Sequence, residues 1–390
     1  MDKLYVLIGS YCNQNNYSLI SSFYKKDLSV SNSEYERVLL KGFCSNHLNV
    51  HMISAPSVGK FPSSCRYIRT KGFKSSPLVT VVDYCTLFFL SHISKYIALK
   101  KQINYLFKEN KDKNIVLIAC EPHIPYMKAC KYAKRKYKCK TSLIVPDLPE
   151  NVKDKGLLLY RLIKNRKTLL SYEIGNKYFD SYLFFTNKMV SSFNVENKKY
   201  LVREGIVEHF NFDCSNKKSK NTICTYIGKT NEKNGISVIC EAAKQLKEFE
   251  FHIYGNGDMD DILRETHIDN LFYHGFIAPQ SIDDVLLDSD ILLSPRYPRE
   301  YTSVSFPSKI LKYISFGKPI VTYKLPCYPK AFDNFLLYPG DQSVQSFIEC
   351  IQKAKTIRID YESLANQCSY LLYDNLVKDY LTILDDKKSI

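Results

Sequence analysis

Residues 303–322 read S-V-S-F-P-S-K-I-L-K-Y-I-S-F-G-K-P-I-V-T, a stretch with a start, a body and a stop. Ser303 and Ser305 are hydroxyl residues placed to cap a helix, and Pro307 suits a first helical position. Ile310, Leu311 and Ile314 recur at helical spacing and make one face apolar. Gly317 and Pro319 stop the helix, and Ile320, Val321 and Thr322 start a buried strand. Helix followed by strand is α/β structure. The first-turn N–H groups of such a helix lack internal partners, and its dipole is positive there. Ser308 and Lys309 would therefore present backbone donors, a hydroxyl and an ammonium to one point. That chemistry suits a phosphate or diphosphate. A surface helix whose lysines are merely solvated would carry the same letters.

Outward from this stretch, the chain bounds its own class. Its 390 residues suit two domains rather than one core. A hydrophobic share of 45% and a charged share of 24% are globular values. The 55 basic residues exceed the 40 acidic ones and leave a net charge of +15. Such a surface favours anionic partners such as lipid headgroups or phosphorylated substrates, and it also serves solubility. Nucleic acid is not expected, because no recognisable module or arginine-rich strip is present. The apolar run 4–8 is too short for a secretory core. The longest apolar stretch, 78–90, contains Asp83 and falls short of the roughly 20 residues that span a bilayer. A cytoplasmic protein, soluble or peripheral at the inner face of the membrane, is expected. The 13 cysteines are odd in number and never spaced C-x-x-C, which argues against zinc or a disulfide framework and fits a reducing cytosol.

Strands and helices alternate through both halves. A strand over 3–8 leads to a loop holding Ser10, then a helix over 34–46 with Val38, Leu39, Leu40 and Phe43 on its apolar side. A strand over 48–53 precedes a Ser/Pro/Gly-rich loop over 54–67. The segment 87–107 reads as a helix with Lys95, Lys100, Lys101 and Lys108 exposed and Phe88, Phe89, Tyr96 and Tyr105 among them. That mixture suits a membrane-surface helix as well as a plain solvated face. The fully apolar strand 115–119 should be central and parallel, and it ends in Cys120-Glu121-Pro122-His123. Ligands of doubly wound sheets sit at carboxyl ends of strands, so Glu121 and His123 can reach one, or can serve local loop hydrogen bonds. A helix over 126–136 and a strand over 142–145 lead to Asp147 and Glu150, carboxylates for acceptor hydroxyls. A helix over 157–174, a strand over 181–186, a short helix over 187–193 and a strand over 201–207 complete this half, and the lysine-rich run 213–221 marks a boundary.

The second half restarts with a strand over 222–227, the loop 228–235 and a helix over 236–246. Strands over 249–254, 271–274 and 290–293 end respectively in Gly255-Asn256-Gly257, Gly275-Phe276-Ile277 and a segment carrying Arg296 and Arg299. Arginine suits bidentate oxyanion contacts. After the opening helix come a strand over 320–323, a helix over 343–354 and one long helical segment over 361–384.

The run P-S-K-I-L-K-Y-I-S-F-G-K-P-I-V, residues 307–321, resembles the nucleotide-sugar-binding signature of GT-B glycosyltransferases of family 4, the glycosyl transferases group 1 type. The resemblance is specific over about 222–322 and diffuse before it. It implies two Rossmann-like, doubly wound domains facing a central cleft, with the last helix crossing back to the first domain. The acceptor-side domain would be 1–207 with about 372–390, and the donor-binding domain 208–371. By the same resemblance the helix N-terminus holds the donor diphosphate, lined by Arg296, Val304, Ser305, Phe306, Pro307, Ser308 and Lys309. Gly228, Lys229, Lys233, Asn234 and Gly235 form a glycine-plus-basic loop, with Lys229 or Lys233 on the phosphates. Gly255 and Gly257 let the ligand approach the backbone. Gly275, Phe276 and Ile277 border the nucleobase, with Phe276 or Ile277 packing on the base or into the core. Val304 and Lys312 stand where the family carries two glutamates, the second of which usually binds the ribose.

The first half resembles cytosolic enzymes of capsule and exopolysaccharide synthesis at residues 145–150 and 203–205, whose acceptors are often polyprenyl-diphosphate-linked sugars. The resemblance implies transfer of a sugar from a nucleotide diphosphate sugar, a UDP-sugar, to a glycan hydroxyl with retention. Lys309, Lys229, His123 and Glu121 are the catalytic candidates, with Ser10, Asp147 and Glu150 on the acceptor side. No metal or cofactor is called for if cations meet the phosphate charge. The D-x-D strings 258–260 and 288–290 read as structural, the first capping a helix and the second leading into a strand. The missing glutamates also fit a non-catalytic GT-B subunit, and a nucleotide-sugar epimerase is a third reading.

Overall fold

The computed structural model describes residues 2–13, 30–70, 76–88, 90–149, 158–212 and 221–385. Phe89, Glu150 and most of the lysine-rich run 213–221 lie outside them. The chain divides into two compact units, Met1–Ile206 with Tyr373–Ile390, and Val207–Leu372.

The strands of the first unit are β1 (Lys3–Gly9), β2 (Val50–Ser54), β3 (Tyr67–Ile68), β4 (Val79–Val81), β5 (Tyr84–Cys85), β6 (Asn114–Ala119), β7 (Lys140–Val145), β8 (Ser181–Phe184) and β9 (Lys199–Val202). Seven of them form a parallel sheet in the order β4-β2-β1-β6-β7-β8-β9, and β3 pairs with β5 antiparallel. Helices α1 (Val30–Ser45), α2 (Ser91–Glu109), α3 (Ile124–Tyr137), α4 (Leu158–Tyr178) and the short α5 (Asn187–Val190) punctuate it. A parallel sheet is covered on both faces, so its middle strands are apolar throughout. Val6, Leu7 and Ile8 of β1 and Leu117, Ile118 and Ala119 of β6 are buried accordingly. The strand order reverses between β1 and β6, and ligands of such sheets bind outside that switch point.

The second unit holds β10 (Thr222–Ile227), β11 (Phe249–Tyr254), β12 (Leu271–Gly275), β13 (Ile291–Ser294), β14 (Ile320–Thr322) and β15 (Leu336–Leu337), all parallel, in the order β12-β11-β10-β13-β14-β15. Its helices are α6 (Ile236–Gln245), α7 (Asp260–Glu265), α8 (Ile282–Asp288), α9 (Lys309–Ile314), α10 (Val344–Ala354) and α11 (Tyr361–Cys368). Ile236, Ile239 and Ala243 of α6 join Phe347 and Ile351 of α10 over Phe251 and Leu293 in one core. Here the switch point lies between β10 and β13, whose carboxyl ends carry Gly228 and Arg296.

Four expectations change. Ser303 and Ser305 do not cap α9: residues 300–303 form a 3-10 turn in which the Ser303 hydroxyl donates to the Glu300 carbonyl at 2.7 Å, and α9 starts only at Lys309. Phe306 precedes Pro307, and the residue before proline is pushed out of the helical region, so no helix can run back through it. Lys95 is buried, not exposed, because it falls on the inner stripe of α2 with Ser91, Leu99, Ile103 and Leu106. The long segment 361–384 breaks into α11, a 3-10 turn over Ser369–Leu371 and a last helix, α12 (Tyr373–Leu384). The strand 201–207 stops at Val202. One pairing explains both changes: the Val207 N–H donates to the Leu371 carbonyl at 2.8 Å, and Val207 bridges Leu372 in parallel.

Candidate functional site

In the second unit the site grows from Gly228, just past β10. Its φ is +148°, a conformation that favours glycine. A Cβ there would lie 3.0 Å from Lys309 Nζ and 3.2 Å from the Tyr226 hydroxyl. Lys309, the first residue of α9, lays its ammonium 3.9 Å from the Tyr226 ring centroid. The side chain is half-buried, but Nζ itself is shut from solvent and has no hydrogen-bond partner. Burial, with the Arg296 charge nearby, pushes its pKa down to about 7. Lys309 thus holds its side-chain nitrogen against an aromatic face rather than in open solvent. Arg296 is half-buried, and its Nη2 donates to Ser305 Oγ at 3.5 Å while the guanidinium lies 5.4 Å from the Tyr301 ring centroid.

The loop after β10 is fixed by its own polar groups. The Asn231 side chain accepts from the Asn234 N–H at 3.1 Å, and Asn234 Nδ2 and the Tyr226 hydroxyl each donate to the Lys229 carbonyl at 2.8 Å. Gly235, at φ +74°, packs so tightly on Pro295 that a Cβ would strike its carbonyl. Lys229 and Lys233 are exposed on this ordered loop. Gly255 and Gly257 lie against chain rather than open space, since Cβ atoms there would collide with the carbonyls of Gly228 and Thr230. Gly275 has open space around it, Phe276 is exposed rather than core, and Ile277 is half-buried. Phe306 and Pro307 are buried, Ser308 is exposed, and Val304 and Ser305 are half-buried. Lys312 does not stand alone: its ammonium lies 2.5 Å from Asp283 Oδ1 of α8.

Both D-x-D strings serve the fold. Asp260 accepts from the Gly257 N–H at 2.7 Å and from the Thr230 hydroxyl, and Asp290 accepts from the Ile223 N–H at 2.8 Å. No group of three or more His, Cys, Asp or Glu side chains that could hold a metal occurs among the described residues.

The first unit gathers titratable groups around the carboxyl ends of β1, β2 and β6. Glu36 of α1 is buried, and its carboxylate accepts from the Ser10 N–H at 2.7 Å. A Cβ on Gly9 would run into this carboxyl group. Burial, reinforced by the charge of Glu121, raises the Glu36 pKa to about 8. His123 packs edge-on against Tyr126 at 4.6 Å and His92 at 5.2 Å between ring centroids, and its Nδ1 is shut from solvent without a hydrogen-bond partner. Burial, then the charges of Lys95, His92, Lys167 and Lys60, hold it well below the usual range, so it stays neutral. The same surroundings push His92 down to about 4. Lys95 donates to the Ala55 and Pro56 carbonyls at 3.4 and 3.1 Å, and burial lowers it to about 8 against the pull of Glu121. Ser10, Glu121 and His123 are thus brought into one neighbourhood, whereas Asp147 is exposed in the loop after β7. Sequence reasoning missed Glu36 and Lys95. Each leaves one signal, a charged residue on the apolar stripe of its helix.

Residues 221–355 match the family described as Glycosyl transferases group 1. No curated protein sequence matches the chain. Among solved structures it resembles TarM (TM-score 0.63, 12% identity, 99% of each chain covered). It also resembles Anabaena HepE in complex with UDP (TM-score 0.59, 12% identity, 97% of this chain and 99% of that one). A third likeness is to the pneumococcal O-GlcNAc transferase GtfA in complex with UDP and GlcNAc (TM-score 0.60, 11% identity, 98% and 99%).

The fold is GT-B. The family match holds Gly228, Arg296, Lys309 and Lys312, while the first unit is covered by likeness of fold alone.

Proposed function

We propose that this GT-B chain is a glycosyltransferase that moves a sugar from a nucleotide diphosphate sugar, with UDP as the nucleotide, to an acceptor hydroxyl. The observation that carries the reading is the buried, unpartnered ammonium of Lys309 over Gly228, at the switch point of the sheet matched by the Glycosyl transferases group 1 family. The capture of UDP by HepE and GtfA supports the choice of nucleotide.

In this reading Lys309 and Arg296 face the diphosphate and take up the charge it gains as the glycosidic bond breaks. Preorganised charges of this kind stabilise a transition state without reorganisation. Lys229 and Lys233, on an ordered loop, add reach from the other side of the switch point. The departing phosphate takes the acceptor proton and configuration is retained, so no buried base or metal is assigned. The acceptor is a glycan or a polyprenyl-diphosphate-linked sugar of cell-surface polysaccharide synthesis, met from the cytoplasmic side in peripheral contact with an anionic membrane. No helix among the described residues is long and apolar enough to cross one.

One observation favours a second reading, a subunit that binds nucleotide sugar without turnover: the ion pair of Lys312 with Asp283 fills the place of a family glutamate. Calorimetric titration with UDP in chelator separates the outcomes. Metal-free binding to the wild type, weakened about 30-fold or more in Lys309→Ala, is the expected result, as for a lost charged hydrogen bond. UDP-sugars with glycan acceptors should then yield a new glycoside. Binding without product leaves the silent subunit, and no binding to UDP, GDP or ADP removes the donor site.

A further inference from the structure

Helix α2 is apolar on two sides. Its inner stripe is buried, yet Ile93 and Ile97, one turn apart on the opposite side, are 56% and 58% exposed. Leu90, just ahead of the helix, is exposed as well.

The apolar face continues beyond the helix. Phe88 is exposed, and the ammonium of Lys60 lies 4.1 Å from its ring centroid. The Arg66 guanidinium lies 5.0 Å from the exposed Phe61 ring. These loops are parts of the fold: the Phe61 N–H donates to the Thr86 carbonyl at 3.2 Å, and the Thr86 N–H donates to the Arg66 carbonyl at 2.9 Å. Tyr67, in β3, is also exposed.

Charge then selects the occupant. Apart from the buried Lys95, residues 60–70 and 90–108 contain six Lys and Arg, namely residues 60, 66, 69, 100, 101 and 108, and no Asp or Glu. Lys101, Tyr105 and Lys108 continue the exposed side of α2 past Ile97. A second copy of the chain would meet this face with the same cations, since a two-fold contact sets a patch against itself. Aliphatic and aromatic side chains interleaved with Lys and Arg instead match an interface that is apolar within and anionic at its edge.

We propose that the outer side of α2, with Phe61, Tyr67 and Phe88, docks the protein on an anionic lipid surface. This names the surface behind the peripheral contact proposed above, and it stands whether or not sugar transfer occurs. The test is sedimentation of the full chain with vesicles of phosphatidylcholine alone or mixed with phosphatidylglycerol. The wild type should pellet with the mixed vesicles only, and less so as salt rises. Ile93→Glu/Ile97→Glu and Lys101→Glu/Lys108→Glu should each lower the partition coefficient by about tenfold or more. Circular dichroism and UDP titration of the same preparations show that the variants are folded and report the donor site separately. Variants that pellet like the wild type, or a wild type that ignores anionic vesicles, overturn the proposal. So does a wild-type dimer that Ile93→Glu/Ile97→Glu dissociates, because the face then belongs to a second copy.

Discussion

A lysine ammonium shut away from water beside an arginine gives up its proton easily, and burial with the Arg296 charge brings the Lys309 pKa down to about 7. A bound diphosphate would favour the charged form. Binding of UDP at about pH 8, where the terminal phosphate is already ionised, should therefore take up a proton, approaching one per site. Calorimetry in two buffers of different ionisation heat measures the uptake, and Lys309→Ala should abolish it. Equal apparent enthalpies for the wild type in both buffers would show that Lys309 does not face the phosphates. Glu36 is the opposite case on the first unit. Its pKa is raised from 4.5 to about 8, so the native state keeps a proton that the unfolded chain has lost. The stability this contributes is full below about 4.5 and gone above about 8, a fall of at most about 1.4 kcal/mol per pH unit. Glu36→Gln, which keeps the shape without the charge, should flatten urea stability curves taken across that range. A variant as pH-dependent as the wild type would locate the titration elsewhere. Lys309 was legible as a phosphate candidate from P-S-K, but the burial of its Nζ was not, because it depends on Tyr226 of β10, far away in sequence.

At the scale of elements, alternation of period-two and period-3.6 patterns was enough to read two parallel α/β sheets, since each apolar strand is bounded by turn residues. The misreadings share one physical cause, namely backbone or tertiary constraints that local pattern does not encode. Pro307 forbids the helix that Ser303 and Ser305 invite, and Val207 takes the backbone that would have joined α11 to α12. Glycines 255 and 257 were readable as special, yet their constraint is the neighbouring loop, where Gly228 and Thr230 leave no room for a Cβ. Position 312 shows the same limit. The resemblance sets this lysine where a glutamate is usual, whereas the two helices show it paired with Asp283 at 2.5 Å. The pair is half-exposed, so it is worth no more than about 1 kcal/mol. Lys312→Glu should cost about that much by setting two carboxylates together, and the exchange Asp283→Lys/Lys312→Glu should recover most of it. Denaturant unfolding of the four proteins of this cycle measures the coupling. A double variant no more stable than the single one would mean that position 312 is held by something other than Asp283.

Over the whole molecule, the last helix belongs with the first unit although it follows the second in sequence. Leu376, Val377, Tyr380 and Leu384 of α12 are buried, and the Tyr380 hydroxyl donates to Ser142 Oγ of β7 at 2.8 Å. At Gly42 of α1 a Cβ would lie 2.8 Å from the Tyr373 carbonyl, so the two helices approach closely. Ion pairs of Arg203, just after β9, with Asp379 of α12 and of Lys3 of β1 with Asp385, just after α12, each at 2.6 Å, add to the tie. These contacts localise the effect of a mutation. Tyr380→Ala should remove a buried ring and one of the hydrogen bonds at Ser142, which keeps its bonds with Ser181, at a cost of about 3–5 kcal/mol to the first unit alone. A thermal scan of the variant should then resolve two transitions, the lower one belonging to the weakened unit. UDP at about a hundred times its Kd stabilises whatever binds it by about 2.7 kcal/mol, and it should raise the upper transition, because Gly228, Arg296 and Lys309 all lie in the second unit. UDP raising the lower transition instead would move the nucleotide to the first unit, against the site built around Lys309. A single transition that falls as a whole would show that the two units melt together and that α12 stabilises both.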